Sequence, residues 1–586
     1  MRPEERHLPA DAYVGTIVGE STSTEFRLAV AHEAVREQDI IAVDGELRQP
    51  DKPEAVERIR IWAKVQRIER LNPLFPSEAG HELAATHTDP FDTVLSLSRE
   101  MVTAVCTVLG SEIIADKPTG KLGQLRYPAR PATRAYRPPA EDIKSVVLGE
   151  LKEHDQRALD LATLANQDSI DVSVDGHAIV TRHLAILAMT GAGKSWASRR
   201  IIEQLAERHY PIIIFDPHGD YTGLSDVPQL KNKVRVFHAA IPLFEEDGDE
   251  LIRIISGLAG EPLSSTQADV FESLYQDARQ MLAANGDGIS RLRDSLHSIT
   301  SNDYIRRFPF QRDLFALSYL AQAASMAVRK DQEESRDALI SLGFNSLRNA
   351  DGNRSSTYNA IARQCRRAAF ELRNMEQRNE SRTGSSQPLP KDKRDVVDYD
   401  QISVVSLTGY SEDFRATLYA MIARRILNGR VQGEIPYPCL LVLEEAHNLS
   451  PGAGEHSTAI VRATSITKQI AQEGRKFGVG LVLISQRPSR IDETTLSQCN
   501  SFIVMRLVNP ADQSYVRRVI ESLGEDEVRL LPDLDAGEAL LSGQMIRFPV
   551  LVKMKKPDSR GEREEDLDAF QALAKAHDVK TKGPRP

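Results

Sequence analysis

The stretch that decides the fold is AILAMTGAGKSW, residues 185–196. Its first half continues HLAILAM, a short run that is apolar throughout. Its end opens WASRRIIEQLAERH, which has helical periodicity. Strand, glycine-containing turn and helix is the context that a phosphate loop requires. Gly191 and Gly193 let backbone N–H groups turn inward around a phosphate, and the helix that follows offers its own N–H groups and a positive dipole end. Lys194 would reach the β- and γ-phosphates of ATP, and Ser195 would hold Mg²⁺. Thr190, Ala192 and Trp196 complete the expected nucleotide-binding stretch. Ala188 stands where such loops usually begin with glycine, so the geometry at that position has to come from the structure.

Further strands lie downstream of this loop. PIIIFD, CLLVLEE, GLVLIS and SFIVMRL are short, continuous apolar runs, as parallel strands buried on both faces require. With helical patterns between them they predict an α/β domain with a central parallel sheet. In PCLLVLEEAHNL, Glu444 and Glu445 directly follow four apolar residues. Glu444 would support Mg²⁺, directly or through water, and Glu445 would polarise the attacking water as general base. Gln486 closes a later apolar strand, where an amide can bond both the lytic water and the γ-phosphate; a structural strand cap is the alternative. Arg475 precedes that strand and could stabilise transition-state charge in a neighbouring subunit, or be a solvated helix residue. Asp216 and His218, in FDPHGDY, sit at a strand end where open α/β sheets bind ligands. A supporting or coupling role there competes with a purely structural turn.

The remaining chain divides by composition. YVGTIVGES, EFRLAVA, DIIAV and RIRIWAKVQRI alternate apolar and polar residues between turn signals, which predicts a small β-barrel or sandwich. YPARPATRAYRPPAEDI is too rich in proline for a helix or sheet interior and reads as a linker or strap. Residues 1–142 are thus expected to be barrel and linker, 143–556 the α/β core with a helical insertion at 240–400, and 557–586 a polar tail with one modest helix. In the insertion, Arg363, Arg366 and Arg367 share a helical face with Arg373 nearby. That face would suit either DNA phosphates or solvent and paired acids. The cysteines, Cys106, Cys365, Cys439 and Cys499, lie far apart, which speaks against a disulfide framework or zinc site and fits a reducing cytoplasm. No long apolar run predicts a membrane span. Lys+Arg total 74 against Asp+Glu 84, a net −10 that disfavours a protein coated in basic charge but leaves room for a local basic stripe.

In combination and order, TGAGKS, FDPHGDY, LLVLEEAHNL, EGRKFGVGL, ISQRPSRID and LSQCNSFIVMRLVNPAD resemble the HerA-type ATPases of the HerA/FtsK group. YVGTIV, EFRLAV, DIIAV and IWAKVQRIERLNPL resemble the HAS barrel of those proteins. The likeness spans roughly residues 10–230 and 400–555. It implies a RecA-like P-loop core, and a hexameric ring that hydrolyses ATP with Mg²⁺ at subunit interfaces. It further implies that the ring threads double-stranded DNA through its pore and works with an effector, such as a nuclease or a sirtuin-like NAD hydrolase, in DNA end processing or antiphage defence. It supports the roles given to Lys194, Ser195, Glu444, Glu445 and Gln486, and matches Arg475 to a trans-acting arginine and Arg182 to a sensor position. A ring scaffold that activates an effector with little translocation is the rival expectation. A single-strand pump or conjugative coupling protein is weakened by the lack of a membrane anchor.

Overall fold

The computed structural model describes residues 12–31, 34–49, 52–71, 85, 101–114, 120–149, 151, 155–239, 248–284, 314–329, 332–380, 386–390 and 392–559. The anticipated C-terminal helix within 557–586 lies outside them. Two compact units are present. One contains Met1–Gln204, Ser485–Ser489 and Leu496–Lys555, and the other Leu205–Ile484, Arg490–Thr495 and Lys556–Pro586.

The first unit begins with a closed antiparallel barrel in the order β1-β2-β5-β4-β3-β6. Its strands are β1 (Tyr13–Ser21), β2 (Glu25–Val30), β3 (Ile40–Gln49), β4 (Lys52–Leu71), β5 (Met101–Ile113) and β6 (Arg134–Tyr136). The alternation visible in the sequence is the cause. Alternate side chains Phe26 and Leu28, Ile41 and Val43, and Ile61, Ala63 and Val65 face one buried core, which Val14 and Ile17 join across a register irregularity in β1. The proline-rich stretch read as a linker or strap contains β6, which pairs with both β1 and β3 and so closes the barrel. Next come β7 (Ala158–Leu164), β8 (Gln167–Asp175) and β9 (Leu184–Leu187).

The second unit carries six parallel strands in the order β12-β11-β13-β10-β14-β15. These are β10 (Ile212–Asp216), β11 (Val234–His238), β12 (Gln387–Pro388), β13 (Ile402–Ser406), β14 (Cys439–Leu443) and β15 (Val479–Ser485). β10, β13, β14 and β15 are buried along their whole length, as the continuous apolar runs require. Between β11 and β13 lies the helical insertion, whose described helices are Gly248–Ala259, Ser265–Ala284, Leu314–Ala327, Glu333–Ser341 and Ser355–Glu380. The helix Leu314–Ala327 is buried on nearly every side, and its Ser318 hydroxyl donates to the Ala362 carbonyl of Ser355–Glu380 at 2.8 Å. The chain then returns to the first unit as β16 (Ser501–Val504), β17 (Glu538–Gly543) and β18 (Val550–Met554). β16 runs parallel to β9, and β17, β18, β7 and β8 continue antiparallel from it.

Within the first unit the barrel is tied to the core by a buried charge. Lys64 of β4 donates to the Glu527 carboxylate at 2.9 Å, and Gln66 donates to the same oxygen at 2.8 Å. Burial pushes the Glu527 carboxyl up, but the Lys64 charge and these hydrogen bonds outweigh it and hold the group below its ordinary value.

Candidate active site

The phosphate loop lies between β9 and the helix Lys194–Ala206. Gly191 and Gly193 have φ of 80° and 106°, a region that costs an L side chain dearly. At Gly193 the space is also tight, because a Cβ would meet the Met505 methyl at 3.0 Å and Gly537 at 3.4 Å. Ala188 has no positive φ and is fully buried, with its N–H donating to the Ser485 carbonyl at 3.1 Å. A methyl there is therefore compatible with the turn. The loop is pinned on two further sides. Met189 N–H donates to Arg506 O at 3.0 Å, and Gly537 N–H donates to Ala192 O at 2.9 Å. The Gly193 carbonyl accepts from Trp196 and Ala197, which starts the helix directly behind the loop.

Gln486, which follows β15 in the chain, meets this loop. The Thr190 hydroxyl donates to Gln486 Oε1 at 2.5 Å. The first unit therefore brings Thr190, Gly191, Ala192, Gly193, Lys194, Ser195, Trp196 and Gln486 into one neighbourhood.

The second unit brings the acids together. Glu444 and Glu445 leave the end of β14 and are 1% and 5% exposed. Tyr221, fully buried, donates its hydroxyl to Glu444 Oε2 at 2.9 Å. Glu445 has φ 50° and ψ 49°, left-handed backbone that costs a residue with a Cβ about 1–3 kcal/mol. That twist breaks the alternation of the strand, so two consecutive carboxylates line the same cleft of about 310 Å³. His447 Nδ1 lies 3.3 Å from Glu445 Oε2.

Asp216 ends β10 and accepts from the backbone N–H groups of His218, Gly219 and Asp220 on one oxygen and Tyr221 on the other, at 2.7–3.2 Å. Burial pushes its carboxyl up, against the pull of those N–H groups. The residue organises the turn that carries Tyr221 to Glu444, while the His218 side chain is exposed.

One residue of the acid cleft was missed from sequence. Arg415, in the helix Glu412–Val431, lines it beside both glutamates. Its Nε is buried without a hydrogen-bond partner among the described residues, and burial pulls its pKa down against the pull of Glu412. No motif marks it; the only sequence cue is an arginine shortly after a strand end.

The two outlying arginines lie away from these strand ends. Arg475 is exposed in the last turn of the helix Thr458–Phe477, just before β15 begins. β14 and β15 are parallel, and seven residues of strand span roughly 23 Å, so Arg475 sits at the opposite end of the strands from Glu444 and Glu445. Arg182 likewise precedes β9 while the phosphate loop follows it. On the helix Ser355–Glu380, Arg366 donates to Gln322 at 2.8 Å and Arg367 pairs with Glu261 at 3.0 Å, while Arg363 and Arg373 are exposed. That face is partly committed to its own bundle.

The donor set fits a nucleotide and Mg²⁺. The loop supplies backbone N–H groups, a lysine and a helix start, with the Ser195 hydroxyl in the first turn. Among the described residues no three His, Cys, Asp or Glu side chains converge on a metal. Mg²⁺ is compatible with that, because it takes one or two protein ligands and leaves the rest to phosphate and water.

The chain is similar to several known proteins. Residues 159–426 match the family model described as the central domain of helicase HerA. A probable helicase of Methanocaldococcus jannaschii is 28% identical over 456 residues, covering 75% of this chain and 74% of that protein. The DNA double-strand break repair helicase HerA of Pyrococcus furiosus is 25% identical over 577 residues, covering 93% and 92%. Among solved structures, VirB4 of Thermoanaerobacter pseudethanolicus aligns with TM-score 0.42 and 16% identity over 68% of this chain and 96% of that one. In its barrel, its phosphate loop, its paired strand-end glutamates and the match over 159–426, the chain is similar to the HerA-type P-loop ATPases.

Proposed function

We propose that this protein is an ATP-driven motor that assembles as a homo-oligomeric ring, hexameric by resemblance, and translocates along double-stranded DNA. Residues Thr190–Trp196 take the phosphates, with Lys194 on the β- and γ-phosphates. Ser195 and Glu444 hold Mg²⁺, which neutralises phosphate charge when bound. Glu445 accepts a proton from the attacking water, Gln486 orients that water, and Arg475 completes the site of a neighbouring subunit. The observation that carries this reading is Glu445 itself. A buried glutamate in left-handed backbone, directly after a glutamate held by a buried tyrosine, is costly arrangement for a strand end with no chemistry to perform. The names of the relatives, helicases of DNA break repair, support duplex DNA as the track.

A motor and a passive ring differ in one measurement. On a duplex bearing a triplex-forming strand, the wild-type protein is expected to displace that strand with ATP, while Lys194→Ala is not. Displacement by Lys194→Ala, or full DNA-stimulated ATPase in that variant, would refute the nucleotide assignment.

A second reading has its own support. The buried Lys64–Gln66–Glu527 junction links the barrel rigidly to the helix Glu525–Leu530 of the ATPase core. That link suits a ring whose barrel presents a docking surface to an effector, a nuclease or NAD hydrolase, and signals nucleotide state to it. A ring that binds the triplex substrate without clearing it, yet activates a co-purified effector with ATP, would favour this scaffold.

A further inference from the structure

We propose that Arg253, Arg424 and Arg462 form a cleft that binds the backbone phosphates of duplex DNA, a proposal that rests on the translocase reading above. The three residues come from three helices of the second unit, Gly248–Ala259, Glu412–Val431 and Thr458–Phe477. They line one cleft of about 410 Å³ whose floor is Ile254, Ala420, Met421 and Ala459. Thr417, Met421 and Arg424 succeed one another along a single face of the middle helix, so the cleft is a continuous groove between helices.

The charges in this groove are unbalanced. Among the described residues, no ion pair or hydrogen bond joins any of the three guanidinium groups to an acceptor. Glu250 lines the same cleft, but its carboxylate is paired with Arg425 at 2.9 Å. Burial pulls the Arg462 pKa down, and Arg253 and Arg424 pull it down further, with only Asp249 opposing. The three cations therefore feel one another. Gathering like charges in a half-buried groove works against folding, and an anionic ligand removes that penalty.

The lining also says what kind of anion. Guanidinium forks match phosphate oxygens and stay charged at every working pH. A duplex offers one negative charge per roughly 1.7 Å of axis, enough to engage three cations at once, whereas one acidic side chain of a partner brings a single charge. The one hydroxyl in the cleft, Thr417, is already donated to the Asp413 carbonyl at 2.8 Å. A guanidinium can also pair with guanine, but three of them side by side with no amide or free hydroxyl are matched by a row of phosphates, so the contact is assigned to the backbone, which carries no sequence preference. A motor that must pass over any sequence needs contacts of that type.

The test uses the full chain in its assembled state and a fluorescent duplex of about 30 base pairs, titrated from about 50 to 200 mM salt. The variants are Arg424→Gln, at an exposed position, and the triple Arg253→Gln/Arg424→Gln/Arg462→Gln. For the triple, the slope of log affinity against log salt is expected to flatten by about 2–3, with at least about a tenfold loss of affinity at low salt. For Arg424→Gln the slope is expected to fall by about 1. ATPase without DNA and the assembled mass are expected to match wild type. Variants that keep wild-type affinity and slope overturn the assignment. So does a triple that fails to assemble while Arg424→Gln binds DNA as wild type does, because the cleft is then a contact between copies. If the wild-type ring itself binds no duplex, the translocase reading falls and this one with it. If the wild type clears a triplex and the variants bind as well as it does, only the cleft falls.

Discussion

Glu445 shows how much a single backbone angle decides. Its left-handed φ of 50° puts it beside Glu444 in one cleft, which ordinary strand alternation forbids. Glu445→Gln keeps the shape and removes the carboxylate proposed as base, so that protein is expected to bind ATP normally and to turn it over at about a hundredth of the wild-type rate or less. Equilibrium binding and steady-state hydrolysis separate the two effects. Arg475 has a different signature. It stands a strand length away from the glutamates of its own subunit, so any catalytic action is across an interface. Mixing Arg475→Ala with Glu445→Ala subunits is then expected to restore hydrolysis at some interfaces, and no rescue at any ratio would remove it from the mechanism. Arg415→Ala is expected to lower the DNA-stimulated turnover by about tenfold or more with little change in ATP affinity. The acids and the phosphate loop were legible in sequence because they adjoin apolar strands. Arg415 was not, because only folding carries an unmarked helix residue to the ends of β13 and β14.

At the scale of elements, the junction between β4 and the helix Glu525–Leu530 is the most exacting contact described. Lys64 and Glu527 are 3% and 5% exposed, so removing one partner strands the other charge. Lys64→Met is expected to destabilise by about 3–5 kcal/mol, read as a lower urea midpoint. Lys64→Met/Glu527→Leu, which leaves no orphan charge, is expected to recover much of that loss. The pH dependence has a defined sign. The folded Glu527 carboxyl lies below its ordinary value, so its contribution is complete above about pH 4.3, the unfolded value, and is lost as pH falls through the folded one. Wild type is expected to lose stability on acidification more steeply than the double variant. Sequence pattern located β1, β2, β3 and β4 because their faces alternate. It passed over β5, β11 and β13, whose runs are interrupted by polar residues, and it read β6 as linker because prolines flank three residues of strand.

For the whole molecule, the net −10 no longer weighs against DNA. The arginines Arg253, Arg424 and Arg462 show that an acidic chain can still concentrate unbalanced positive charge on one groove. The channel of the assembled ring is expected to be basic and its outer shell acidic, so an acidic channel in the ring bound to DNA would overturn the translocase reading. Native mass measurement with an ATP analogue and duplex is expected to give a single closed ring. The four cysteines are free and buried, and among the described residues no helix is long and apolar enough to cross a membrane.

Sequence by itself determined the chemistry available to this protein. The phosphate loop, the strand-end glutamates and the alternating barrel strands are local features, fixed by residue type and by periods of two and 3.6 residues. Tertiary structure alone decided which groups meet. It set Thr190 against Gln486, 296 positions apart, and locked Glu444 to Tyr221 across 223 positions. It joined barrel to core through Lys64 and Glu527, and gathered three arginines from three helices into one cleft. Such pairings are long-range, and they depend on packing and burial that no window of sequence contains.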